Sequence, residues 1–470
     1  MGSISSAFNI ITSALQANQS ALGTVANNVA NANTAGYTRE TPNFEENSPV
    51  TINGMIYGAG ISFTGSTSVR DRVLDQRLAQ QQQLATASGT RLTELNSLEI
   101  LFTPATGSSS SAAGDIGSDL TNFFDSFSSL ESNPTSNALR QQVLSSAATL
   151  AGDMSNGSAS LNAQQTAVDQ EATGVTSQVN ALTSVIAGLN RQIQSLSPES
   201  DAGALEDQRV QDISQLSQLI GINQIQTENN GITITTTAGQ PLVAQSSSFQ
   251  LTTGTTNGVT HFYLSGTDIT TELASGGGQL GGYLTVRDQD IPSALAALDQ
   301  LAYSVSTAVN AQNNAGTDLA GDVGNAGNIF FQPVQISGSA SGIAVEMTDP
   351  NHIAAAGLGA GTGDNSNATI LANLSNQTIV NGQTPINYYS AFVSSLGSTI
   401  SEVQTENTAQ NVSLSQLTNL RNALSGVNLN DEAASMQQIE RSYQAASQIF
   451  NILNSLMANI LNLGVQTAVS

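Results

Sequence analysis

The sequence predicts a mainly α-helical fold with an inserted β-rich domain, and three patterns predict it. Apolar residues recur at heptad spacing at both ends: Ile4, Phe8, Ile11, Leu15, Leu22, Val25 and Val29 in the first helix, broken once by Asn18, and Met436, Ile439, Tyr443, Ala446, Phe450, Leu453, Met457 and Ile460 in the last. A long helical stretch from Thr135 keeps heptad-like spacing through Leu161, Val168, Val175, Val179, Leu182, Ile186, Leu189, Ile193 and Leu196 until Pro198. Between about residues 222 and 385 the period shortens to β-type runs separated by Gly and Asn turns. The architecture predicted is nested. Terminal coiled-coil helices pair with each other, a long antiparallel helical bundle is built behind them, and an outer β-rich knob is thrown out from the middle.

The elements follow in order. Terminal helices of roughly 28 to 34 residues, about 42–51 Å long, need a partner along their apolar seams; Ile449, Ile452, Leu456 and Leu463 widen the C-terminal one. The first helix ends in Ala26-Asn27-Asn28-Val29-Ala30-Asn31-Ala32-Asn33-Thr34-Ala35-Gly36-Tyr37-Thr38-Arg39, where asparagines favour turn geometry and Gly36 supplies positive φ. Thr41 to Ser68, with Pro42, Pro49 and four glycines, reads as hairpin or extended chain. A helix spans Val69 to Phe102. Its Arg70, Arg72, Arg77 and Arg91 suit either a solvated face or a contact for the acidic surface of a neighbour. Pro104 and Gly107 to Gly114 break it, Asp115 or Ser118 caps the next helix, and Asn133-Pro134 ends that one. After the long helix, Gly203 to Ile220 is helical. Short strands follow, among them Ile222 to Ile225, Gly231 to Thr235, Pro241 to Val243, His261 to Leu264 and Gly282 to Val286. A helix from Ile291 to Asn313, glycine-rich loops with a few strands over Ala315 to Pro350, and a helix from Tyr388 to Leu424 complete the body. The domains drawn from this are residues 1–40 with 426–470, residues 41–221 with 386–425, and the insertion 222–385.

Composition excludes several functions. Thirty-five carboxylates face eleven basic residues, all Arg, for a net charge of −24. That balance opposes nucleic-acid binding and adsorption to anionic membranes, and it favours a soluble, self-repelling monomer. There is no Cys. The N-terminus has no basic n-region and no contiguous apolar run, so it reads as neither a cleaved signal nor a membrane span.

Catalytic readings fare poorly. Gly276-Gly277-Gly278-Gln279-Leu280-Gly281 matches a dinucleotide-binding spacing, but Tyr283 to Val286 reads as strand where a helix is required. With only His261 and His352 and no Cys, zinc sites of the usual kind cannot be assembled. Glu206, Asp207 and Asp212 could in principle act as paired carboxylates, yet their helix is rich in Gln and Ser and reads as a solvated face. The expectation is a non-enzymatic structural protein with no cofactor and no metal.

The turn after the first helix resembles the N-terminal signature of bacterial flagellar axial proteins, the rod, hook and hook-associated proteins, through Asn27, Asn28, Asn31, Thr34, Gly36, Tyr37 and Arg39. Ser425-Gly426-Val427-Asn428-Leu429-Asn430-Asp431-Glu432-Ala433-Ala434 resembles the matching C-terminal signature. Interior segments narrow the likeness: Leu189-Asn190-Arg191-Gln192-Ile193, Leu205-Glu206-Asp207-Gln208-Arg209, Arg287-Asp288-Gln289, Leu298-Asp299-Gln300-Leu301-Ala302 and Gly316-Thr317-Asp318-Leu319 leading to Ile329-Phe330-Phe331 resemble the hook-associated protein 1 family, the first hook–filament junction proteins. One departure is length, since the chain lacks room for an extra outer domain that longer members carry. The resemblance implies export through the flagellar type III apparatus without a cleaved signal peptide and assembly outside the cell. It also implies these partners: further copies of the chain, the hook protein, the second junction protein, the filament cap protein during assembly, and an export chaperone gripping Ile439 to Leu463. The alternatives are a hook or distal rod protein, or an axial protein whose insertion binds or hydrolyses glycans.

Overall fold

The computed structural model describes residues 2–52, 54–102, 115–196, 202–256, 258–323 and 328–466. In chain order these form α1 (Gly2–Ala30), β1 (Glu40–Glu46), β2 (Val50–Ile52), β3 (Met55–Tyr57), β4 (Ile61–Ser68), α2 (Arg72–Phe102), α3 (Ile116–Ser132), α4 (Asn137–Ser195) and α5 (Gly203–Leu219). Then come β5 (Ile222–Gln226), β6 (Ile232–Thr236), β7 (Pro241–Ala244), β8 (Ser247–Ser248), β9 (Leu251–Thr256), β10 (Val259–Leu264) and β11 (Thr267–Asp268). The rest is helical: α6 (Thr270–Gly276), α7 (Gly278–Thr285), α8 (Ile291–Asn314), α9 (Ser339–Gly342), α10 (Ser366–Asn373), α11 (Pro385–Ser425) and α12 (Leu429–Gln466). The breaks expected at Pro104 and Gly107 to Gly114 and the stop at Pro198 lie outside the described residues, as does the side chain of Leu463. Two compact units result, one of Met1–Gln83, Gln178–Leu251 and Asn411–Ser470, the other of Leu84–Ser177 and Thr252–Gln410.

In the first unit α1 packs on α12. The pairing is antiparallel, because the Phe8 ring lies 4.6 Å from that of Phe450 while Asn28, twenty residues on, bonds Glu432 near the start of α12. The most deeply buried apolar residues of α1 are small, Ala17 and Ala21 with Val25 beside them, which lets neighbouring elements approach its backbone closely. β1 and β4 form an antiparallel ribbon against α1, with a register shift between Asn43 and Phe44; β2 and β3 form a second, separate hairpin. β5 to β8 make an antiparallel meander that buries Ile222, Ile234, Leu242 and Val243. Asn190 of α4 staples that sheet, donating to the Ile232 and Gln245 carbonyls at 2.7 and 2.8 Å and accepting from Arg209 at 2.9 Å.

The second unit is built on aromatic packing. Phe123, Phe124 and Phe127 of α3 meet Phe330 and Phe331, with ring centroids 5.0 to 5.9 Å apart. Apolar faces of α4, α8, α10 and α11 close around them. Asp115 is the cap of α3, its carboxylate accepting from Ser118 N at 3.2 Å. Arg140 is wholly buried without a carboxylate partner; it donates to the Pro134 carbonyl at 2.7 Å and the Ile353 carbonyl at 2.6 Å.

Two expectations are corrected here. Gly282 to Val286 is not a strand: it belongs to α7 and a π-turn, Val286–Asp290, that runs straight into α8. Leu280 and Leu284 bury one helical turn apart. A Cβ on Gly282 would stand 2.7 Å from the Ala87 carbonyl oxygen, so the glycine marks a close approach of α7 to α2 and not a β-run. Over Ala315 to Pro350 the described residues hold only isolated β-bridges and α9, because Phe330 and Phe331 are drawn into the core individually instead of alternating along a sheet.

Phe123→Ala is expected to destabilise the second unit by about 3–5 kcal/mol, and Leu358→Ala, at a site 69% exposed, by less than about 0.5 kcal/mol. Urea denaturation of the two variants checks the contrast.

Candidate functional site

The turn after α1 folds into a polar junction with the start of α12. Asn28 is fully buried in the last turn of α1. Its Nδ2 donates to the Glu40 carbonyl at 2.8 Å and to Glu432 Oε2 at 3.0 Å, while its Oδ1 accepts from Tyr37 OH at 2.8 Å and from Glu40 N at 3.0 Å. Both amide hydrogens and both lone pairs are thereby used. The other carboxylate oxygen of Glu432 takes Arg39 Nε at 2.6 Å, and Arg39 N donates to the Ser425 carbonyl at 2.9 Å. A buried carboxylate without such partners would be costly. Asn428 Oδ1 caps the start of α12 by accepting from Asn430 N at 3.0 Å.

A second layer supports the first. Thr38 N donates to Asp207 Oδ2 at 2.9 Å, and Arg70 spans two of the three acids of α5, at 2.6 Å from Asp207 and 3.5 Å from Glu206. Arg421 of α11 donates to the Gly36 carbonyl at 2.8 Å. Gly36 has φ +80°, and a Cβ there would meet the Gln211 side chain at 2.6 Å. Gly426 is equally constrained, with the Asn422 carbonyl oxygen 2.4 Å from where its Cβ would be. Asn27, Asn31 and Thr34 form a local exposed chain: Asn31 Nδ2 donates to Asn27 Oδ1 at 2.9 Å, and Thr34 Oγ1 to Asn31 Oδ1 at 3.2 Å. Val427 is half-buried between the two helices' ends. The structure thus gathers Asn28, Gly36, Tyr37, Arg39 and Gly426 with three acids and one arginine that pattern-reading did not single out as partners: Glu432, Glu206, Asp207 and Arg421.

Arg70 and Arg91 are committed to partners within their units, and Arg72, although its side chain is 43% exposed, is paired as well. Arg70 and Arg72 pair with α5, Arg72 at 3.3 Å from Glu206, and Arg91 holds Asp290 through two bonds of 2.8 and 2.9 Å. Arg77 alone of the four is exposed with no ion pair among the described residues. For the same reason Glu206 and Asp207 are not a solvated face: both are buried, each opposite a guanidinium. Asp212 is half-buried, and burial holds its carboxyl above the usual carboxylate range.

The seam residues divide. Val25 and Ala446 are buried, and Ile4, Phe8, Ile11, Leu15, Leu22, Met436, Ile439, Phe450, Leu453 and Met457 are half-buried. Val29, Tyr443 and Ile460 are exposed. Asn18 bonds back to the Ala14 carbonyl at 2.8 Å, which satisfies it within its own helix. Of the wider face, Ile449, Ile452 and Leu456 stand in solvent, Ile452 at 58% exposure.

The remaining candidates are placed as follows. The Gly276 to Gly281 run does open a helix, contrary to expectation, but Gly276, Gly278 and Gly281 are buried in the α6–α7 corner and no strand precedes them. His261 pairs with Asp268 at 2.7 Å. His352 lies 2.7 Å from Asp318, and with Asp322 these groups place ligand-type atoms within 4.8 Å of one another. Asp318 also caps Asp322 N at 2.9 Å, and the buried Arg140 guanidinium feels its charge, so the carboxylate is already compensated.

Two long terminal helices, α1 and α12, are thus locked to each other through a shared polar junction. Residues 106–331 match the family described as the flagellar hook-associated protein FlgK helical domain, and residues 8–38 match the flagella basal body rod protein family. Flagellar hook-associated protein 1 of Escherichia coli strain K12 is 26% identical over 98% of this chain and 100% of its own length; that of Bacillus subtilis strain 168 is 26% identical over 96% of each. The solved flagellar hook junction protein FlgK from Burkholderia pseudomallei superposes with a TM-score of 0.63 at 18% identity, covering 74% of this chain and all of that one. Over nearly its whole length the chain is therefore similar to the flagellar hook-associated proteins 1, structural proteins of the bacterial flagellum. Among the described residues no helix is long and apolar enough to cross a membrane.

Two outcomes test the junction. Arg39→Leu should cost about 2–3 kcal/mol, the lower part of the range for a broken buried pair because the guanidinium is 30% exposed, and adding Glu432→Gln should recover part of it in a double-mutant denaturation cycle. Burial first, then the nearby carboxylates Glu40, Asp207 and Glu432, push the Tyr37 hydroxyl up to about 12. Its folded value lies above its unfolded one, so the contribution is present below about pH 10 and lost as pH rises towards 12. Tyr37→Phe should flatten that alkaline fall in a pH series of thermal unfolding.

Proposed function

We propose that this chain is a building block of the junction between hook and filament, polymerising through its two ends. What supports this reading most directly is the unfilled face of α12. One side packs on α1, while Ile449, Ile452, Leu456 and Ile460 project into solvent at helical spacing. An apolar stripe of that length on a secreted protein needs a cover, and in a tube the cover is the terminal helices of neighbouring copies in coiled-coil fashion, with hook protein below and the second junction protein above. The filament cap protein is a transient neighbour during growth.

Before assembly the same stripe explains two further steps. The terminal helices, half-buried against each other and no more, are ordered fully only within the polymer; as long unsatisfied helices they are marginal alone. That suits passage unfolded through a type III export channel without a cleaved signal peptide. An export chaperone would grip Ile439 to Leu463 until then. The inserted region 222–385 faces outward as a knob in this reading. A hook or distal rod protein would share the two terminal signatures but not the match to the helical domain over residues 106–331.

Electron microscopy of a deletion strain decides between these. Complete bare hooks with monomeric flagellin shed into the medium are expected; absent hooks would make the chain a hook protein, and intact filaments would refute an axial role. Ile452→Asp should reproduce the bare-hook phenotype while the isolated protein unfolds within about 0.5 kcal/mol of wild type. Amide exchange should find α1 and α12 weakly protected in the monomer away from the Asn28–Glu432 junction; strong protection along the whole of both would remove the ordering-on-assembly step.

A further inference from the structure

In the second unit two short segments lie side by side and bring metal-ligand side chains to one point. The turn from Asp318 to Asp322 closes on itself, Asp318 N donating to the Asp322 carbonyl at 3.2 Å, with Gly321 at φ +85°. Backbone contacts tie it to the turn Pro350–His352 and the residues after it: Leu319 N donates to the Asn351 carbonyl at 3.0 Å, and Thr317 bridges to Ala356. Asp318, Asp322 and His352 thereby hold ligand-type atoms within 4.8 Å of one another. Asn328 joins them, its side-chain amide 2.8 Å from His352 Nδ1.

The ring nitrogen is claimed twice. Asp318 Oδ2 stands 2.7 Å from it, on the same atom that the Asn328 amide approaches. A ring nitrogen offers one hydrogen or one lone pair. With a hydrogen it serves the carboxylate but repels the Asn328 NH₂ unless that amide turns its oxygen inward; with a lone pair it meets the carboxylate oxygen head on. The charges are also unequal. Asp318 is buried, accepts from Asp322 N at 2.9 Å and lies in the field of Arg140. Asp322 is exposed and has no ion pair among the described residues.

The geometry points to a divalent-cation site in which His352, Asp318 and Asp322 are the ligands, with the Asn328 amide oxygen and water completing it. One imidazole with two carboxylates suits zinc and the transition ions near it, whereas calcium and magnesium favour oxygen alone. Two ligands on one tetrahedral zinc stand about 3.3 Å apart, so the close contact between His352 and Asp318 opens by roughly half an ångström when the ion replaces the proton on Nδ1. The backbone ties already hold the two segments in register, which leaves little to order on binding. Asp318 and His352 are 34 positions apart, far outside the short spacings by which zinc ligands are read from sequence. The bound ion clips the 318–322 turn to the 350–352 turn, a role independent of the junction function.

Calorimetric titration of zinc chloride into the chelator-treated full chain tests the site, with Asp322→Asn, His352→Gln and, as a control, His261→Gln, which alters the other histidine–aspartate pair. The unaltered chain and His261→Gln should bind one equivalent. Asp322→Asn and His352→Gln should each weaken binding by about tenfold or more, since loss of an outer-shell partner alone costs that much. Zinc should also raise the thermal midpoint of the second unit in the unaltered chain and not in either variant. Asp322 is exposed, so its variant carries the test if His352→Gln does not fold. No binding by the unaltered chain would overturn the site, as would binding lost in His261→Gln and kept in His352→Gln. Calcium binding as tight as zinc binding and unchanged in His352→Gln would overturn it too, leaving only a patch of carboxylates.

Discussion

The bond between Asn28 and Glu432 is the constraint on which the first unit depends. Each partner is fully buried, and the two are satisfied together: Tyr37 and Glu40 from the turn after α1 complete Asn28, and Arg39 from the same turn completes Glu432 while its own N–H reaches the Ser425 carbonyl on the approach to α12. Low local polarity makes this arrangement all-or-nothing. Fully partnered, it fixes one register between the helices; partly partnered, it would be worse than an apolar contact. The asparagine does what a leucine could not, because a leucine would pack equally well one turn up or down.

Around that bond the acids and arginines of the chain are spent internally. A protein with only eleven basic residues uses Arg39, Arg70, Arg72, Arg209 and Arg421 in one unit and Arg91, Arg140 and Arg287 in the other to hold carboxylates or carbonyls inside. Arg287 shows the pattern well: it bonds Asp169 and Asp288 and lies 6.0 Å above the Phe262 ring. Most of the few positive charges are thus committed to partners within the fold, and most of the excess carboxylates have no cation to pair with. Arginine suits that interior role because its planar fork satisfies several acceptors at once.

Much of this was legible in the sequence where a period or a punctuating residue carried it. The limits of α2, α3, α4, α5, α8 and α11 follow from apolar spacing with Asp115, Asn133-Pro134 and Gly203 as marks, and the family motif pointed to Asn28, Gly36, Tyr37 and Arg39 as a group. What stayed hidden was pairing at long range. Nothing in the run Leu205 to Arg209 announces that Glu206 and Asp207 face Arg70 and Arg72 some 130 residues earlier, so an acidic helix in a Gln- and Ser-rich context read as solvated. Gly282 to Val286 misled for a different reason. Its Gly-Tyr-Leu-Thr-Val composition has strand propensity, but packing of Leu280 and Leu284 and the close passage of α2 override it.

The distance along the chain between the two halves of the junction has a consequence in time. Asn28 and Glu432 are 404 positions apart, so α1 leaves the ribosome about 20–80 s before its partner is synthesised, at roughly 5–20 residues per second. During that interval its buried amide and its apolar face have no native counterpart to close on. Translation itself therefore delivers a chain whose ends are still open, and whatever receives the C-terminal helix first decides whether the loop is closed inside the cell or left to be closed elsewhere.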